Sequence, residues 1–120
     1  MAGDIGYISD SQLPNIQIGA KTSNNYSLVT DTISIGNSGP LRDVTTGSGN
    51  IGIGRSAGLL ITTGTLNVII GKNAVGQVSG LGKVMTSNVI IGPSAGENAN
   101  ASFDTFIGWA AGLNAVNNTN

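Results

Sequence analysis

One short word of sequence recurs six times along this chain and constrains its fold more than any other feature. The word begins with Asn, Asp or Thr, continues with a mostly aliphatic residue and a variable residue, and ends with Ile-Gly. The glycines of successive words are 17, 18, 17, 21 and 16 residues apart. Because so short a unit cannot bury an apolar face alone, the repeat predicts units that stack on one another. The six copies are residues 15–19, 32–36, 50–54, 67–71, 88–92 and 104–108.

The alternation of residues within the word predicts a β-strand. Successive side chains of a strand point to opposite faces, so the second and fourth residues share one face. These residues are mostly β-branched, which suits a packed, pleated surface. We therefore expect them to form the core. The predicted core column is Ile18, Ile35, Ile53, Ile70, Ile91 and Ile107. Its companions at the second position are Ile16, Ile33, Ile51, Val68, Val89 and Thr105.

The other positions of the word agree with a narrow coil. The closing Gly is suited to a corner with positive φ, and an Ala three residues later fits where a larger side chain would clash. The polar first residue can bond nearby backbone and stack in a ladder between coils. The apolar spacing does not match an amphipathic helix. The sequence thus predicts an all-β protein, a parallel β-solenoid or β-roll of about six short coils.

The repeat also divides the chain. Residues 1–14 precede the first word and are expected to be a cap or a docking arm, with Asp4-Ile5-Gly6 as an extra strand. Residues 15–113 form the predicted solenoid domain, in which the glycine-rich segment 76–83 reads as a loop. Residues 114–120 are interpreted as a tail or as the start of a further coil.

The middle residue of the word would then point outward. From the fourth copy onward it is large and apolar, and an exposed apolar stripe usually marks an interface. A loop at 78–85 that covers the stripe is the alternative. Trp109 follows the last Ile-Gly at a position that looks exposed. We expect it to belong to an interface or a cap, or to contact a partner. The predicted oligomer interface is Ile69, Ile90, Phe106 and Trp109.

Composition excludes several functions. The chain has no Cys and no His, which excludes disulfides, the usual zinc sites and catalysis by Ser–His or Cys–His pairs. Its five Lys and Arg residues are scattered, so nucleic acid is not an expected partner. No apolar run approaches the roughly 20 residues of a membrane span. The glycines at 47–52 match a dinucleotide fingerprint but lack its strand and helix. We predict no enzyme, catalytic residue, cofactor or metal. An ice-binding solenoid would require a repeated outward Thr, which the word lacks.

The repeat itself resembles a known one. The segments Asn-Val-Ile-Ile-Gly-Pro-Ser-Ala-Gly (88–96), Asn-Ile-Gly-Ile-Gly-Arg-Ser-Ala-Gly (50–58) and Phe-Ile-Gly-Trp-Ala-Ala-Gly-Leu-Asn (106–114) are similar to repeats in the heads of trimeric autotransporter adhesins and in bacteriophage tail-fibre and other virion proteins. The resemblance covers residues 50–114 well and 15–49 loosely. It implies a β-roll, usually left-handed, in a side-by-side homotrimer.

The start of the chain shows no export signal, and no stalk or membrane anchor is evident, which favours a phage protein over a bacterial adhesin. The size resembles that of trimeric capsid decoration, or cement, proteins. These bind the major capsid protein or another virion protein, and they join the virion in the host cytoplasm. The alternative is a tail-fibre or adhesin head segment that binds a host-surface receptor, for example a glycan.

Overall fold

The computed structural model describes residues 9–10, 13–19, 29–76, 82–100 and 102–115. These residues form short strands joined by turns and contain no helix, which confirms the all-β prediction. The strands are β1 (Ser9–Asp10), β2 (Leu13–Ile18), β3 (Val29–Thr30), β4 (Thr32–Ile35), β5 (Gly47–Ser48), β6 (Ile51–Ile53), β7 (Val68–Ile70), β8 (Val89–Ile91) and β9 (Thr105–Ile107).

The six words become six parallel strands that stack in register, in the order β2, β4, β6, β7, β8, β9. Ile18 pairs with Ile35, Ile35 with Ile53, and the pairing continues in the same way to Ile107. The chain therefore makes about five turns of a parallel β-solenoid, as the repeat predicts. We call this stack the first wall and each of its strands a rung.

The first rung begins earlier than expected. β2 starts at Leu13, and β1 pairs with it in the antiparallel direction, with Ser9 opposite Pro14 and Asp10 opposite Leu13. The boundary predicted between residues 14 and 15 thus falls inside a strand. The extra strand predicted at Asp4-Ile5-Gly6 lies outside the described residues, as do parts of the predicted loop and tail.

A second wall closes each coil opposite the first. β3 and β5 pair in parallel, and single bridges continue this contact between Thr46 and Thr63 and between Thr65 and Thr86. Large side chains from this side of the coil reach the core and are fully buried. They include Val29, Val44, Ile61 and Met85.

Glycines form the corners at the end of each rung. Their φ angles lie between +119° and +142°, which confirms the predicted corner role. Ala57, Ala74 and Ala95, three residues after their glycines, are fully buried, as a narrow coil requires.

The faces of the first wall are opposite to the prediction. Ile69 and Ile90 are 0% exposed, so the middle residue of the word points into the coil and not outward. Phe106 packs against the same core and is partly buried. The predicted core column of Ile18, Ile35, Ile53, Ile70, Ile91 and Ile107 is wrong, because these residues lie on the outer face and are half-buried or exposed.

Volume complementarity explains why the true core column contains small residues. A Cβ on Gly52 would lie 2.6 Å from Leu41 Cγ, so Leu41 fills the space that Gly52 leaves. In later rungs the large residue is on the strand and the small one opposite. A Cβ on Gly112 would lie 2.5 Å from the Phe106 ring. The coils with Gly52 and Phe106 therefore each keep a filled core, although the middle residue changes from small to large.

Candidate interaction surface

The outer side of the first wall is a continuous aliphatic surface. The second and fourth residues of every word lie on it, and eleven of these twelve are Ile or Val. With rungs about 4.8 Å apart, the surface is about 24 Å long, and its two columns are about 7 Å apart. We call it the aliphatic face. It consists of Ile16, Ile18, Ile33, Ile35, Ile51, Ile53, Val68, Ile70, Val89, Ile91, Thr105 and Ile107.

The aliphatic face carries no charged residue, and no described part of the chain buries it. Ile16, Ile18 and Val89 are each more than one third exposed. Ile107 on the last rung is 67% exposed. Soluble monomers rarely expose a long, contiguous apolar patch, and such a patch marks an interaction site. The face is thus the best candidate for a functional surface.

Two columns of residues border the aliphatic face. The leading rim is the residue before each word from the second copy onward, and all of its members have φ between +53° and +67°. It consists of Asp31, Gly49, Leu66, Ser87 and Phe103. The trailing rim is the residue after each closing Gly, and all of its described members are exposed. It consists of Asn37, Arg55, Lys72, Pro93 and Trp109. The face therefore has the apolar centre and more polar edge of a protein interface.

The four predicted interface residues do not lie on one surface in the structure. Ile69 and Ile90 belong to the core, where no partner can reach them, and Phe106 packs beside them. Trp109 is 81% exposed, which confirms its predicted exposure. The alternative, cover by residues 78–85 of the same chain, holds at Met85, which is buried in one cluster with Ile69 and Ile90. Part of that segment lies outside the described residues.

Phe103 is an exposed aromatic residue that the sequence analysis missed. It is 79% exposed and has a φ of +66°. The same position holds Asp31, Gly49, Leu66 and Ser87 in the earlier copies, and the Ile-Gly pattern gives no signal for its left-handed φ. Asp, Gly and Ser suit a left-handed corner, whereas a Phe there is unusual.

A buried asparagine ladder holds the first wall in register. Asn67 Nδ2 donates to the Met85 carbonyl oxygen at 2.7 Å and to Asn50 Oδ1 at 2.9 Å. The Asn88 backbone N–H donates to Asn67 Oδ1 at 3.1 Å. The Asp104 backbone N–H continues the ladder to Asn88 Oδ1 at 2.9 Å. These bonds confirm the predicted ladder and make the aliphatic face a rigid platform.

The second wall has a different outer surface. A Ser or Thr lies two residues before each word from the second copy onward, and each is half-exposed; these residues are Thr30, Ser48, Thr65, Thr86 and Ser102. Thr46 and Thr63 add two exposed hydroxyl groups. We call this surface the hydroxyl face. Val84, two residues before Thr86, is exposed as well, so the coil presents one apolar outer surface and one that is mainly hydrogen-bonding.

Charged groups avoid the aliphatic face. Arg42 Nε and Asp43 Oδ1 form an ion pair at 3.0 Å on another part of the coil. Lys83 is 8% exposed, and its Nζ donates to the Glu97 carbonyl oxygen at 3.1 Å. Burial lowers the pKa of Lys83, since the charged ammonium loses water, while the nearby Glu97 charge partly opposes this.

Neither a metal centre nor a membrane helix is found within the described ranges. No group of three or more His, Cys, Asp or Glu side chains is placed there to hold a metal ion. No helix there is long and apolar enough to span a membrane.

No protein-family model, curated protein or solved structure matches the chain.

Proposed function

We propose that this chain is a non-enzymatic structural protein of a bacteriophage particle, a capsid decoration protein that assembles as a homotrimer and stabilises the capsid. The observation that carries the proposal is the exposed aliphatic face, which extends over all six rungs. Fully burying an Ile or Val is worth about 1.5–3 kcal/mol, so completing the burial of a half-exposed one contributes on the order of 1 kcal/mol. Four of the eleven Ile and Val residues of the face are more than one third exposed and the other seven are partly exposed, so burying them together on one rigid surface favours assembly.

The arrangement of the two faces supports assembly of several copies side by side. When copies pack through their aliphatic faces, the hydroxyl face of each remains in solvent. The outside of the assembly is then polar, and its centre is dry. The number of copies, three, comes from the resemblance of the repeat to trimeric β-rolls.

A cement role requires a rigid, closed assembly. A decoration protein acts by bridging neighbouring capsid subunits, so it needs a body that does not deform. The parallel stack and the buried asparagine ladder supply that rigidity. The partner in this proposal is the major capsid protein or another virion protein.

Light scattering of the purified chain tests the assembly, and we expect the mass of three chains. Ile53→Asp places a carboxylate on the aliphatic face and should give monomers that keep the β-sheet circular-dichroism spectrum. Thr63→Asp, which places the same carboxylate at an exposed position on the second wall, is the matched control and should remain trimeric. A monomeric wild-type chain would refute the assembly.

Particle stability tests the cement role. Phage particles that lack the protein should release DNA at lower temperature or lower salt than complete particles. Adding back wild-type protein should restore stability, and adding Ile53→Asp should not. Equal stability with and without the protein would refute the cement role.

The hydroxyl face favours a second candidate, the head of a tail fibre or adhesin that binds a host-surface glycan. Hydroxyl side chains both donate and accept hydrogen bonds, as sugars require. In that case the purified trimer should bind host cells, and Thr63→Val with Thr65→Val should weaken the binding. Capsid binding without cell binding would leave only the cement role.

A further inference from the structure

Among the residues that the structure describes, the two most exposed aromatic side chains lie on the same rung. Phe103 and Trp109 lie at opposite ends of β9, and they are 79% and 81% exposed. Residues 103, 105 and 107–109 are exposed, whereas 104 and 106 are half-buried. Phe103 precedes β9 and Trp109 follows the corner Gly108, so the two exposed rings belong to the leading and trailing rims of the aliphatic face.

These two rings cannot cover each other within one chain. The strand between them is extended, and the path from residue 104 to residue 108 alone is about 13 Å. An exposed Phe or Trp leaves a large apolar area in water, and aromatic residues are enriched at protein interfaces. Phe103 and Trp109 lie on opposite rims at the same position along the solenoid axis. Each could therefore contact the other residue in a symmetry-related copy of the chain.

Cyclic symmetry brings opposite rims together. When copies surround an axis parallel to their solenoid axes, the trailing rim of each copy meets the leading rim of the next. A closed ring allows rotation without translation, so residues on the same rung meet at the same height. We infer that Trp109 of each subunit packs against Phe103 of the neighbouring subunit and closes the interface at the last rung. This inference rests on the proposed homotrimer.

The other rungs are compatible with the same alignment. It places the Lys72 stem beside Leu66 of the neighbour, where the methylenes can cover the exposed Leu while the ammonium stays in water. It places the Asn37 amide beside the Asp31 carboxylate of the neighbour. No rung then sets two like charges against each other. The aromatic pair adds about 0.5–1.5 kcal/mol beyond its buried area.

A shift by one rung would have a different result. It would place Arg55 beside Asp31 of the neighbour, which is favourable, but Phe103 would remain uncovered. Such a contact includes a translation and cannot close, so it would build an open filament. The pairing of Trp109 with Phe103 therefore selects the closed ring.

Engineered disulfides test the pairing, because the native chain has no Cys. A disulfide requires Cα atoms within about 7 Å, which excludes a bond between positions 103 and 109 of one chain. The double variant Phe103→Cys with Trp109→Cys should form a covalent closed trimer on mild oxidation. Leu66→Cys with Lys72→Cys should do the same. The control Ser87→Cys with Trp109→Cys, offset by one rung, should yield at least about tenfold less covalent trimer, since one rung adds about 4.8 Å.

The emission of Trp109 gives a second measurement, because it is the only Trp in the chain. Wild-type emission should lie at shorter wavelength than that of the monomeric Ile53→Asp variant. Phe103→Ser should move the emission of the trimer toward longer wavelength.

The outcomes separate this inference from the proposed trimer. A trimer by light scattering in which neither same-rung pair cross-links would overturn the rim pairing and leave the trimer intact. Preferential cross-linking of the offset pair, or covalent chains longer than three, would also overturn it. Emission that is identical in the trimer and the monomeric variant would overturn it as well. A monomeric wild-type chain would refute both proposals.

Discussion

Ile69 and Ile70 are consecutive residues of β7 that point to opposite sides of the same sheet. Ile69 is fully buried between the two walls of the coil, whereas Ile70 is half-buried on the aliphatic face. These two consecutive isoleucines thus have different structural roles. Ile69 stabilises the single chain, and Ile70 is available to a second chain.

Aspartate at these two positions should therefore have different effects. Ile69→Asp buries an unpaired carboxylate and should reduce the free energy of unfolding by more than about 3 kcal/mol. Ile70→Asp should leave a folded chain that no longer assembles, because its carboxylate stays in solvent only in the monomer. Circular-dichroism melting of both variants measures their stability, and light scattering measures their assembly. An unfolded Ile70→Asp beside a folded Ile69→Asp would reverse our face assignment.

The period of the repeat was sufficient to predict the parallel stack but not the direction of its faces. The second and fourth residues of the word are aliphatic in almost every copy, whereas the middle column begins with Gln17, Ser34 and Gly52. Sequence patterning therefore favoured the wrong column. Ser34 is tolerated in the core because its hydroxyl donates to the Pro40 carbonyl oxygen at 2.9 Å. Gly52 is tolerated because Leu41 reaches across the coil.

Asn67 should be among the least replaceable polar residues. It is fully buried, and its amide bonds to rungs on both sides. Asn67→Leu removes the side-chain acceptor of the Asn88 N–H and one of the two donors to the Met85 carbonyl, which keeps the Thr65 N–H, and should cost about 2–4 kcal/mol. Asn100→Leu, at an exposed position, is the matched control and should stay within about 0.5 kcal/mol. Chemical denaturation of both variants measures the difference. Equal losses would mean that the ladder does not stabilise the stack.

Gly71 and Gly108 separate two reasons for a corner glycine. Their φ angles are +137° and +128°, so alanine is strained at both, by about 1–3 kcal/mol. A Cβ on Gly71 would also overlap the Gly92 carbonyl oxygen, whereas on Gly108 the nearest heavy atom is Ala111 Cβ at 4.0 Å. Gly71→Ala should thus cost at least about 2 kcal/mol more than Gly108→Ala. Thermal melting compares the two. Similar costs would show that the next rung can move aside.

The interaction surface was harder to predict than the fold. Trp109 was recognisable because its column also holds Arg55 and Lys72, which are typical of exposed positions. Phe103 lies just outside the word, and its exposure depends on a left-handed corner that the Ile-Gly pattern does not reveal. The aliphatic face looked like a core because an interface and a core share the same residue types.

Lys83 should make stability depend on pH in the alkaline range. Burial lowers its pKa in the folded chain below the ordinary value of 10.5. Between these two pKa values the unfolded chain binds more protons, so the free energy of unfolding should rise with pH through that window. Lys83→Met keeps the apolar stem and removes the charge, and its stability should rise less there. Lys72→Met, at an exposed position, is the control and should keep the wild-type slope. Urea denaturation at a series of pH values measures the slopes. Parallel curves for wild type and Lys83→Met would show that the buried ammonium is stabilised as well as it is in water.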